Sequence, residues 1–129
     1  MRRIMPATIH PPFAKYSHGV EVPSGARLLV CAGQLGVTRD GHIPDTAEAQ
    51  AKLCFENITA VLAEGGMTPA DVIRINAYVS GREHLEGYRR ARDAFVTGEP
   101  PASTLLIVSG FNREDFFVEI EVIAAKADG

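Results

Sequence analysis

Between Asp45 and Gly66 the apolar residues fall at helical spacing: Ala47, Ala51, Cys54 with Phe55, Ile58, and Val61 with Leu62. A helix of this pattern carries one apolar face that has to be buried against another element. The runs on either side of it read as strands. Leu28-Leu29-Val30-Cys31-Ala32-Gly33 is a continuous apolar run bounded by glycine, the pattern of a strand covered on both faces. Val72, Ile73, Ile75, Ala77, Tyr78 and Val79 form a second such run after the Thr68-Pro69 restart. A long amphipathic helix between two strands commits the chain to a sheet with helices packed on it.

The helix boundaries have their own chemistry. Asp45 can cap the first helix with Glu48 three residues on, because the Asp oxygen accepts an otherwise orphan N–H, and Gly65-Gly66 ends it. Ser80 and Glu83 form a second such box and open a helix with Leu85, Tyr88, Ala91 and Phe95 on its buried stripe. Gly98-Glu99-Pro100-Pro101 stops that helix. Thr104 to Val108 and Phe116 to Ala125 are β-rich and read as a hairpin, joined through Ser109-Gly110-Phe111-Asn112 and a charged patch. At the other end, Tyr16 to Val22 alternates weakly before the Pro23-Ser24-Gly25 turn, and Asp40-Gly41 marks another turn. The expected order is β-β-α-β-α-β-β: an α+β sandwich with two helices on one face of a mixed sheet.

The 129 residues, without linker, repeat or low-complexity run, give the expectation of a single domain over 1–129. No apolar run is long enough to span a bilayer. Met1-Arg2-Arg3 is basic, but Pro6, Pro11 and Pro12 leave no apolar segment behind it, so it does not read as a signal peptide. Net charge is −3, from 13 Lys+Arg against 16 Asp+Glu, which lacks the basic footprint that nucleic acid demands. Cys31 and Cys54 stand in apolar surroundings without metal-type spacing and read as buried thiols. These features together fit a soluble protein of the reducing cytoplasm, with neither membrane nor nucleic acid as partner.

The residues that could carry chemistry are few. Glu119 and Glu121 lie at i and i+2 in the last strand and share a face, about 7 Å apart at about 3.3 Å per residue. Two readings stand: that face is left in water, or it lines a cleft where partial desolvation prepares a carboxylate for proton transfer. Arg89, Arg90 and Arg92 lie on the second helix, with Glu86 and Asp93 spaced to pair with Arg89 on a solvated face. The alternative is that Arg89 reaches into a pocket and grips a carboxylate, with Arg92 as its surface counterpart. Among His10, His18, His42 and His84 there is no metal spacing, and His18 is either a structural histidine or a functional one. No Walker loop, nucleophile elbow or H-E-x-x-H motif occurs.

Several phrases then occur in a telling order: Tyr16-Ser17-His18-Gly19-Val20, Ala32-Gly33-Gln34-Leu35-Gly36, Glu48-Ala49-Gln50, Asn57-Ile58 with Val61-Leu62, Pro101-Ala102-Ser103-Thr104-Leu105, and Val118-Glu119-Ile120-Glu121-Val122-Ile123-Ala124. From about Tyr16 to Ala125 the chain resembles the YjgF/RidA family of reactive-intermediate (enamine/imine) deaminases, once labelled L-PSP endoribonucleases. The resemblance implies a chorismate-mutase-like α+β fold, a homotrimer with clefts between subunits, and a small-molecule substrate or metabolite with no cofactor. It implies that Glu119 helps to hold the water that attacks an imine carbon, aided by backbone near Thr104. Tyr16 would pack along the substrate and backbone around Gly33 would touch it, with Ser103 beside the site.

The sequence departs from that pattern at one important place. Deaminase members carry an Arg in Pro-Ala-Arg-Ser, where this chain reads Pro-Pro-Ala-Ser, so Ala102 stands where the Arg would grip the substrate carboxylate. Lys15 stands where proline is usual, and His18 where glutamine is frequent. Arg89 falls at a position near the cleft where a shorter polar residue is common. The leading expectation is hydrolysis of a small imine or enamine with release of ammonia. The alternatives are a trimeric small-molecule binder without turnover and, against the acidic balance, an endoribonuclease.

Overall fold

Both helices pack on one face of a four-stranded mixed sheet, as the α+β reading expects. The computed structural model describes residues 1–128. Its elements are β1 (Arg2–Ile4), β2 (Gly19–Glu21), β3 (Arg27–Leu35), α1 (Ala47–Glu64), β4 (Val72–Val79), α2 (Leu85–Phe95), β5 (Ala102–Ile107) and β6 (Val118–Lys126). The spatial order is β3-β6-β4-β5, with β6 antiparallel to both neighbours and β5 parallel to β4. The expected β5–β6 hairpin is not made. The β4–α2–β5 segment is a crossover unit that sets its two strands parallel, and the 108–117 connection lets β6 enter between β3 and β4. The strand β1, three residues long, escaped the sequence pattern. It pairs antiparallel with β2 as a separate ribbon.

Alternation along the strands sorts the core. Ile75, Ala77 and Val79 of β4 and Val118, Ile120 and Val122 of β6 are buried against Ala51, Cys54, Ile58 and Leu62 of α1 and Tyr88 of α2. Close approach of α1 to its neighbours depends on two glycines. A Cβ on Gly36 would lie 2.6 Å from the Gln50 Cα, and one on Gly87 would lie 2.9 Å from the Glu48 backbone nitrogen. Neither contact leaves room for a side chain.

The other face of the sheet is open. Leu28 is 62% exposed and Val30 76%, so β3 is covered on one face only, not on both. Leu106, exposed as well, opens outward from β5. The helix starts also differ from expectation. Thr46, not Asp45, caps α1, its hydroxyl accepting from the Ala49 N–H at 3.1 Å. The Ser80–Glu83 box is replaced by a 3-10 turn over Arg82–His84, after which α2 begins at Leu85 without a side-chain cap. Both cysteines are free and buried, as expected.

Candidate functional site

The residues singled out by sequence separate into two groups on opposite faces of the sheet. On β5, Leu105 faces the helices beside Ala77 and Ile120, so Ser103 faces that way too, while Thr104 and Leu106 face out. Glu119 and Glu121 stand opposite Tyr78 and Asn76 on β4 and share the open face.

On the open face the two carboxylates differ in what holds them. Glu121 accepts from the Tyr78 hydroxyl at 2.8 Å and from the Asn76 amide at 3.3 Å, both on one oxygen. That bond raises the Tyr78 pKa, because ionising the phenol would lose it beside a carboxylate. Glu119 has no hydrogen-bond or ion-pair partner among the described residues. Its carboxylate lies over the irregular stretch of β3, where pairing with β6 slips between Cys31 and Gln34 and two residues, Ala32 and Gly33, oppose Glu121. A Cβ on Gly33 would sit 2.9 Å from Glu119 Oε2, so glycine there is the room in which the carboxylate lies. Two of the expected site residues, Gly33 and Glu119, therefore meet. Thr104 is drawn elsewhere on the same face, its hydroxyl accepting from Arg74 Nη2 at 2.8 Å. Beneath the sheet the Cys54 thiol is pushed up to about 12, by burial first and by the negative Glu119 second.

On the helix side, Tyr16, Arg89 and Ser103 come together around a cavity of about 210 Å³, with Phe13, Arg92 and Leu105 in the same wall. Three contacts fasten the Tyr16 segment there. The Ser17 N–H donates to the Pro101 carbonyl at 2.9 Å, and the Ser17 hydroxyl to that of Pro100 at 2.6 Å. Lys15, one of the sequence departures, donates from Nζ to the Val96 carbonyl at 2.8 Å, at the C-terminal end of α2 where a cation suits the helix dipole. Ala102 bridges to Ser17, so the residue at the expected Arg position serves the same fastening. His18 donates to the His10 carbonyl at 2.9 Å and meets the Tyr16 ring edge-on, which is the structural role for a histidine in this loop.

The arginines of α2 are arranged differently from the sequence expectation. Glu86 and Asp93 do not hold Arg89. Glu86 lies 3.9 Å from Arg90, which also pairs with Glu48, and Asp93 is taken by Arg92 at 3.0 Å. Arg89 is exposed at the cavity and forms no ion pair among the described residues. Arg92 is not a surface residue: it is 4% exposed, with its guanidinium 5.8 Å from the centre of the Tyr88 ring. Its position was readable, since it stands four residues after Tyr88 and three before Phe95, in the middle of the buried stripe. Gln50 was also missed as a centre of hydrogen bonding. It is fully buried, donates to the Pro44 and Asp115 carbonyls at 2.9 and 2.7 Å, and accepts from the Phe117 N–H at 2.8 Å.

No helix among the described residues is long and apolar enough to cross a membrane. The family model described as endoribonuclease L-PSP matches residues 8–126. The RutC family protein YjgH of Escherichia coli K12 is 30% identical over 123 residues, 94% of this chain and 92% of that protein. The 2-iminobutanoate/2-iminopropanoate deaminase of the same organism is 26% identical over 125 residues, covering 94% and 91%. Among solved structures, the Rid-family protein YyfB from Yersinia pestis, of unknown function, is 31% identical and superposes with a TM-score of 0.85 over 97% of this chain and 98% of that one. E. coli TdcF with bound serine gives 25% identity and a TM-score of 0.72 over 95% and 94%. With the family model spanning nearly the whole chain and the same fold in its relatives, the protein belongs to the endoribonuclease L-PSP family, the YjgF/RidA proteins.

Proposed function

We propose that the protein hydrolyses a small imine or enamine and releases ammonia, at clefts formed between copies of the chain in a homotrimer. The observation that carries this reading is Glu119, a carboxylate on an open sheet face with both oxygens free of intrachain partners, lying over Gly33. Relatives named as 2-iminobutanoate/2-iminopropanoate deaminases support the reaction class.

In the step proposed, a water oxygen attacks the electrophilic carbon of the protonated imine while Glu119 accepts a proton from that water. That proton then passes to the nitrogen, the C–N bond breaks with its electron pair leaving on ammonia, and Glu119 takes the remaining hydroxyl proton as the carbonyl forms. No cofactor is called for, because the iminium carbon is already an electrophile. The strand β5 has a sheet neighbour, β4, on one side only, so half of its peptide groups point away from the sheet. Those near Thr104 are the backbone groups available to hold the water. The helix-side cavity with Tyr16 and Ser103 lies on the other face from Glu119, so the two halves make one site only when a second copy supplies one of them.

Supplying an imine from an amino-acid oxidase and following ammonia tests the reading. Hydrolysis should run faster than the spontaneous rate in proportion to added protein. A panel of carboxylated and neutral imines with no acceleration overturns it, and a ligand retained without turnover would make the chain a binder.

The trimer has a separate check. Leu28, Val30 and Leu106 on the open face would each forfeit about 1.5–3 kcal/mol by staying in water. Light scattering in dilute solution should give three times the chain mass of 13.9 kDa. A value of 13.9 kDa rules the assembly out.

A further inference from the structure

The helix-side cavity offers donors and no anion of its own. Arg92 gives Nε and Nη2 to Asp93 Oδ1 at 3.1 and 3.0 Å, while its Nη1 has no hydrogen-bond partner among the described residues. The Ser103 hydroxyl stands beside the Tyr88 hydroxyl. The Tyr16 oxygen accepts from the Phe13 N–H at 3.2 Å, which leaves its proton to give. Arg89 stands at the opening without a carboxylate. Behind this wall the Tyr88 hydroxyl is buried without a hydrogen-bond partner. Phe13 and Leu105 complete the wall with apolar surface, and no acidic side chain lines the cavity. In a chain of net charge −3, two guanidinium groups converging with hydroxyl donors form a local reversal of sign.

We infer that this cavity binds the carboxylate of a small organic monoanion, with Arg89 and Arg92 of α2 as its charged grip and Phe13 and Leu105 against its apolar body. The charge count favours one negative charge: Asp93 already balances Arg92, and Arg89 leaves one positive charge over. The size favours a small molecule, since the cavity is about 210 Å³. Ala102 leaves β5 without a cation at its start, so the anion would be held from the helix and not from the strand. That this carboxylate is part of the hydrolysed substrate rests on the function proposed above; binding itself does not.

Calorimetry with benzoate and butyrate, their neutral amides, and inorganic phosphate tests the inference. The carboxylates should bind at least tenfold more tightly than the amides and more tightly than phosphate. Arg89→Gln changes an exposed residue and should weaken benzoate roughly tenfold, the equivalent of about 1.4 kcal/mol, with the difference shrinking as salt is added. Arg92→Lys should weaken it at least as much, with a thermal melt establishing that the variant is folded. Equal binding of acid and amide, preference for phosphate, or an Arg89→Gln variant indistinguishable from the parent overturns the grip. Carboxylate binding that depends on Arg89 without any ammonia release would leave the pocket standing and remove the deaminase reading. Equal hydrolysis of carboxylated and neutral imines, with no benzoate bound, would do the reverse.

Discussion

Glu119→Gln should slow imine hydrolysis by about 10²–10⁴-fold, the usual loss when a general base is removed, while Glu121→Gln should leave most of the rate. The two carboxylates share a strand and a face, and the difference lies in their partners. Glu121 is committed to the Tyr78 and Asn76 side chains, so it orders the sheet surface. Glu119 has both oxygens to offer, and glutamine in its place keeps the shape without accepting a proton. The loss should fall on kcat more than on KM, because a group that takes the proton of water acts chiefly after substrate is bound. Gly33→Ala gives an independent approach to the same carboxylate. Its Cβ meets the tip of a flexible side chain, so the fold should survive while Glu119 is moved and the rate drops. Steady-state rates of Glu119→Gln and Glu121→Gln that match each other and the parent would show that Glu119 takes no proton.

Gln50→Met should lower the stability by about 3 kcal/mol and the melting temperature by about 10 °C, measured at fixed protein concentration. Methionine fills nearly the same volume but can replace none of the three hydrogen bonds. The Phe117 N–H and the Pro44 and Asp115 carbonyls would lose their partner, and an unsatisfied buried group costs about 1–3 kcal/mol. The bonds join the segment before α1 to the segment before β6, so the variant should also loosen the entry to the strand that carries Glu119. A melt within 2 °C of the parent would mean that Gln50 fills space and little else.

The parts of the fold that were readable in the sequence are those fixed by neighbours along the chain. The apolar spacing from Ala47 to Leu62 located α1, and the run Val72–Val79 was bounded at both ends by turn residues. Pairing between strands was not readable in the same way. A hairpin and an inserted strand have the same alternation, and only contacts distant in sequence decided for β6 between β3 and β4. The helix between β4 and β5 did carry the clue, since a crossover of that kind makes its strands parallel neighbours. Gln50 was in plain view on the buried stripe of α1, but its partners are backbone groups of remote loops, which no side-chain pattern records. Ion pairing on α2 was misjudged because Glu86 and Asp93 each had more than one arginine within a helical turn. For Glu119, alternation gave the face and the family resemblance suggested the role proposed for it, whereas its freedom from partners emerged only with the fold.

The central place of β6 bears on how the protein is made. Synthesis delivers β3 first, then β4 and β5, and these emerge with a vacant slot in the sheet where β6 belongs. Until residues 118–126 leave the ribosome, one long edge of β3 and one of β4 remain without hydrogen-bond partners, the exposed edges through which nascent chains associate wrongly. The sheet therefore closes in a single late event, and the segment that closes it is the one bearing Glu119. A chain halted before Val118 would hold β3 alone beside the β4–β5 pair and would lack Glu119, so the closed sheet and the carboxylate proposed as the base arrive together.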